Sequence, residues 1–80
     1  MLTVSVISPE AVLFEGTTES VVAPAFDGEV GILTGHAPMM TLLGKGTLRL
    51  AAGESFLVAG GFLQVVDDQV RVVTEHATRA

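Results

Sequence analysis

The chain has no cysteine, tryptophan or tyrosine, and only four of its eighty side chains are basic. Without cysteine, neither a disulfide framework nor a thiolate metal cage can staple the fold. The same absence is compatible with a reducing compartment. The four cations, Lys45, Arg49, Arg71 and Arg79, are scattered and outnumbered by nine acidic residues, giving a formal net charge of −5. Nucleic acid needs clustered Lys and Arg to neutralise its phosphates, so it is excluded as a partner. Anionic lipid headgroups match this charge no better. Long apolar runs are also missing. Although 49% of residues are hydrophobic, no stretch approaches the ~20 residues a spanning helix needs. The opening Met1-Leu2-Thr3-Val4-Ser5 lacks the basic region and apolar stretch of a signal peptide. The expectation is a chain that stays where it is made and meets a membrane only through another protein.

What is present is alternation, broken often by glycine. Eighty residues suffice for one domain, 1–80, in which folding buries roughly 60% of the unfolded chain's surface. Leu2, Val4 and Val6 alternate with Thr3 and Ser5, the period of a half-buried strand. Pro9 ends that strand, since proline cannot donate to a ladder. Residues 11–15 form a short strand closed by Gly16, and residues 17–24 another that stops at Pro24. Ala25-Phe26-Asp27-Gly28 is a turn suited to positive φ. Strands follow at residues 29–33, 39–43 and 47–51, the last forming a hairpin with residues 56–59. Gly60-Gly61 marks a bend or bulge. Residues 62–66 and 70–75 close a final hairpin around Asp67-Asp68. Four phenylalanines, Phe14, Phe26, Phe56 and Phe62, are mostly placed to fill the core. Apolar residues nowhere keep a 3.6-residue period over more than two turns. The pattern predicts an all-β fold: a two-sheet β-sandwich of about ten short strands.

Convergent reactive groups are scarce. His36, His76, Asp27 and Glu29 have no metal-ligand spacing. Gly44-Lys45-Gly46-Thr47 lacks the Ser or Thr directly after the lysine that a phosphate loop requires, and strands flank it. Asp67 and Asp68 are expected as a solvated pair at a hairpin tip, without the apolar wall an acid–base carboxyl needs. No catalytic residue, cofactor or metal is expected. One segment differs from the rest. Residues 26–41 use three glycines and a proline to fix the backbone around Glu29 and His36. Such loops often present polar side chains to a partner; a two-turn connection between sheets explains the glycines but not the glutamate and histidine.

Gly28-Glu29-Val30-Gly31-Ile32-Leu33 followed by Gly35-His36-Ala37-Pro38-Met39-Met40-Thr41 resembles the signature of the epsilon subunit of F-type ATP synthases, called delta in mitochondria. Ser8-Pro9-Glu10, Phe14-Glu15-Gly16, Gly46-Thr47-Leu48-Arg49-Leu50 and Gly60-Gly61-Phe62-Leu63-Gln64-Val65 carry the likeness along essentially the whole chain. The resemblance implies a ten-stranded β-sandwich at the foot of the central stalk, bound to the gamma subunit and to the loops of the c-ring. It implies a non-catalytic rotor part at the cytoplasmic face of a bacterial inner membrane, or at the stromal side of a plastid thylakoid. By the same likeness Ser8, His36, Ala37 and Thr41 contact gamma, and Gly28, Glu29 and Val30 face the c-ring. Two departures stand out. Thr34 takes a place where the family commonly has proline. The chain also stops about where family members continue into a C-terminal helical hairpin, associated with inhibiting ATP hydrolysis and in some members with binding ATP. That hairpin is expected to be absent, and no nucleotide binding is expected here. A free-standing sandwich that binds a peptide along an open sheet edge is the alternative. A sugar site would call for exposed aromatic platforms, which this composition does not favour.

Overall fold

The computed structural model describes residues Met1–Ala80. It contains eight strands and no helix: β1 Leu2–Ile7, β2 Val12–Thr18, β3 Ser20–Ala25, β4 Gly28–Leu33, β5 Met39–Leu42, β6 Lys45–Leu50, β7 Ser55–Val66 and β8 Gln69–Arg79. The expected ten become eight because β7 and β8 are long and run through the Gly60-Gly61 bend without a break. Each serves both layers of the sandwich. In the first layer, β2 pairs β1, β1 runs parallel to residues 69–73, these pair residues 62–66, and β5 closes the edge. In the second, residues 76–79 pair residues 56–59, followed by β6, β3 and β4.

The bend explains how one strand can face the core twice. In β7 the buried side chains are Phe56 and Val58 before the glycines, then Leu63 and Val65 after them. A regular strand keeps one parity throughout, so one residue of phase must be absorbed between them. Gly60 and Gly61 do this at φ 75° and 101°, a region that disfavours any side chain. At Gly61 a Cβ would also lie 2.0 Å from the Val73 carbonyl oxygen. Across the ladder, Thr74 is buried, and its hydroxyl is within hydrogen-bond reach of the carbonyls of Gly60 at 3.0 Å and His76 at 2.9 Å. A buried threonine thus serves main-chain acceptors at the bend, where an unpaired carbonyl would be costly.

Two other boundaries differ from the sequence reading. Gly16 does not close a strand; β2 continues through it, and its missing Cβ leaves room for the Phe14 ring, whose Cζ would stand 2.9 Å away. Instead the chain breaks at Glu19, where it leaves one layer for the other. There the Thr18 hydroxyl donates to the Ser20 carbonyl at 3.2 Å and accepts from the Ala52 N–H at 3.0 Å.

The core joins Leu2, Val4, Val6, Leu63, Val65, Val70 and Val72 of the first layer to Val21, Ala23, Ile32, Leu48, Leu50, Phe56 and Val58 of the second. On one open side, Arg79 spans the layers. Its guanidinium lies 5.2 Å from the centroid of Phe56, pairs with Glu54 and donates to the Leu13 carbonyl at 3.1 Å. Of the four phenylalanines only Phe56 is fully enclosed; Phe14 meets it edge-on at 6.2 Å, Phe62 is half-buried and Phe26 is exposed. Phe26 lies in a turn outside the ladder phases, so nothing draws its ring inward.

Candidate interaction surfaces

Residues paired directly across strands share a face, so the register identifies what the first layer presents outward. Val12 pairs Ile7, Ile7 pairs Val73, Val73 pairs Phe62 and Phe62 pairs Leu42. The N–H of Phe26 then donates to the Leu42 carbonyl at 3.0 Å. An apolar row therefore crosses the whole sheet near the bend, about 19 Å over four strand spacings. Its ends are its barest parts: Val12, Leu42 and Phe26 are 56%, 62% and 67% exposed. The next row outward is Glu15, Ser5, Arg71, Gln64 and Met40, which is polar except for its last member.

The row arises from doublets in the sequence. Val6-Ile7, Phe62-Leu63 and Val72-Val73 each place one member in the core and the other on the outer face. Leu42-Leu43 does the same at the end of β5, with Leu43 buried. In a sandwich with one solvated face, strict alternation is the rule, and apolar residues on both phases indicate cover on both sides. The doublets are visible in the sequence, but only the register aligns their outer members into one row.

The expected contact residues fall in different places. Ser8 directly follows Ile7 at one part of the row, and is nearly buried. Its hydroxyl is engaged within its own turn, 3.3 Å from both the N–H and the carbonyl of Ala11. Thr41 is half-buried on β5 beside Leu42. Gly28, Glu29 and Val30 open β4 on the far side of the Phe26 turn. His36 and Ala37 are not part of this grouping. Their loop is tied to the opposite end of the first layer, where the Gly35 N–H donates to Asp68 Oδ1 at 2.7 Å and the Thr3 N–H to the Asp68 carbonyl at 2.9 Å. Thr3 and Ser8 are about 17 Å apart along β1. His36 Nδ1 lies 2.7 Å from the Ala37 carbonyl.

Glu29 is exposed on the outer face of the second layer. It reaches across β3 to Arg49, 3.3 Å away, and both side chains remain at least half in water. Such a pair contributes little to stability, so its carboxylate is available to a competing cation. Asp27, Glu29, His36 and His76 do not converge; no three His, Asp or Glu side chains gather in a metal-holding group. No helix is long and apolar enough to cross a membrane.

A family model described as the ATP synthase delta/epsilon chain, beta-sandwich domain, matches residues 1–80. Among curated relatives, the ATP synthase epsilon chain of Leptospira borgpetersenii is 45% identical over 78 residues, covering 94% of this chain and 61% of the relative. That of a Synechococcus strain is 41% identical over 81 residues, covering 98% and 59%. The chain thus spans about three fifths of the length of these relatives. The fold is similar to a chain in the Euglena gracilis mitochondrial ATP synthase structure, with TM-score 0.86, 21% identity, and coverage of 98% of this chain and 52% of that one. It is also similar to a chain in the central stalk and c-ring structure of Tetrahymena thermophila ATP synthase, with TM-score 0.78, 19% identity, and coverage of 96% and 65%.

Proposed function

This chain belongs to the beta-sandwich family of ATP synthase delta/epsilon chains, and from that premise we propose that it is a non-catalytic rotor element linking the gamma subunit to the c-ring. The apolar row from Val12 to Phe26 is the observation that carries this reading. A contiguous hydrophobic band on a small domain requires cover, and a permanent subunit interface is the kind of surface that supplies it. Ser8 and Thr41, flanking the row, belong to the gamma contact. His36 and Ala37 extend it along the sheet through the fixed 34–38 loop. Gly28, Glu29 and Val30 present an acidic corner to the c-ring loops. Torque would then pass through packed area between two separate patches, without a bond-making step. The place of action is the cytoplasmic face of a bacterial inner membrane, or the stromal side of a thylakoid.

The test is recovery of partners from solubilised membranes by the tagged chain. Leu42→Asp changes an exposed residue, so it should leave stability within about 0.5 kcal/mol while abolishing recovery of gamma. Gamma retained by that variant would refute the assignment of the row. Glu29→Lys should weaken c-ring attachment by opposing complementary charge, while the double exchange E29K/R49E restores the internal ion pair without restoring attachment. Full attachment by the double variant would mean that Glu29 acts only through Arg49.

A further inference from the structure

A carboxylate that the proposed contacts leave unused ties down the loop that carries His36. Asp68 follows Asp67 at the tip of the β7–β8 hairpin, both in the left-handed region at φ 61° and 50°. Its main-chain carbonyl accepts from Thr3, and its side chain accepts from the Gly35 N–H at 2.7 Å. One residue therefore joins the hairpin tip, the first strand and a loop 33 positions away. The other hydrogen bonds of residues 34–38 are local: the His36 N–H donates to Leu33, and the His36 ring meets the Ala37 carbonyl. Beyond β4, the bond to Asp68 is the loop's one hydrogen-bonded anchor. Its acceptor is a carboxylate, and charge-assisted bonds are the stronger kind. Gly35 at φ 85° directs its N–H to that oxygen and passes the chain on to His36.

We propose that Asp68 is a positioning residue for the partner contact made by residues 35–41, setting where His36 and Ala37 stand before docking. This rests on the reading that the loop meets gamma. A loop held in its bound geometry loses less freedom on association than a free one, so the clamp acts on affinity without touching the partner.

Two substitutions separate the clamp from the turn. Glycine and asparagine both accept positive φ, and only asparagine keeps a side-chain oxygen for Gly35. Asp68→Gly should speed exchange of the Gly35 amide about tenfold, with Val70 and Val72 amides still protected and an unchanged melting temperature. Affinity for a gamma-containing core complex stripped of its own epsilon chain should fall about tenfold. Asp68→Asn should retain both within about threefold. Equal protection of Gly35 in D68G would overturn the clamp. A freed amide with undiminished affinity would overturn its role in docking while leaving the rotor reading intact. Failure of the unsubstituted chain to bind would overturn the rotor reading and the docking role together, while the exchange data still decided the clamp.

Discussion

At the scale of single residues, glycines are not interchangeable, although the sequence writes all nine alike. At Gly61 an added Cβ would strike the Val73 carbonyl at 2.0 Å and the Thr74 Cα at 2.7 Å, and φ is 101°. Gly31, on the outer face of an edge strand, has nothing within 4 Å and an ordinary φ. Gly61→Ala should therefore cost about 3 kcal/mol or more. Gly31→Ala should be neutral or stabilising by about 0.5 kcal/mol, mainly by restricting the unfolded chain. Urea denaturation of both variants measures the difference, and similar midpoints would contradict this account of the bend. The sequence was legible here only in part. Gly60-Gly61 announces a bend by itself, whereas Gly16 has the look of a stop and lies inside β2. What decides Gly16 is the Phe14 ring two residues away on the same strand face, a contact that a turn signal does not encode.

At the scale of elements, the short strands and hairpins followed from alternation, because side-chain period and burial are coupled within a strand. Pairing between distant strands was less accessible. The parallel contact of β1 with β8 and the passage of β7 and β8 through both layers depend on residues far apart in sequence. Asp68 illustrates the same limit: the residue type and turn fit a solvated tip, and its partner Gly35 comes from another element. The contact residues expected from family likeness are scattered in the chain: Ser8 follows the row's Ile7, Thr41 pairs the buried Leu63 on the opposite phase from Leu42, and His36 lies near the other end of the sheet. Arg79 is an element-scale fastener, joining the end of β8 to Glu54, Phe56 and the Leu13 carbonyl of β2. Its side chain is 59% exposed, so solvent discounts the ion pair and most of the gain is packing over the ring. Arg79→Ala should lower unfolding free energy by about 1 kcal/mol and speed amide exchange in β2 ahead of β1. Uniform loss across both strands would mean that Arg79 stabilises the fold globally and does not fasten that side.

At the scale of the whole molecule, the apolar row and the acidic surface oppose each other. A net charge of −5 keeps copies apart at low ionic strength, and the bare row favours association. Raising salt from about 0.01 to 1 M shrinks the screening length from roughly 30 to 3 Å, so the isolated chain should self-associate on that titration. Leu42→Asp should suppress this, with sedimentation velocity as the readout; association unaffected by the variant would assign it to another face. The parallel pairing of the first strand with the last has a consequence for how such a chain comes into being. During synthesis β1 emerges before β8, its central neighbour, which lies more than sixty residues further along the chain. Only the β2 ladder is available to it meanwhile, and a lone two-stranded ribbon is marginal in water. The sandwich therefore cannot close strand by strand as it leaves the ribosome. It waits until β8 is available and then forms in a late step, rate-limited by joining β1 to β8.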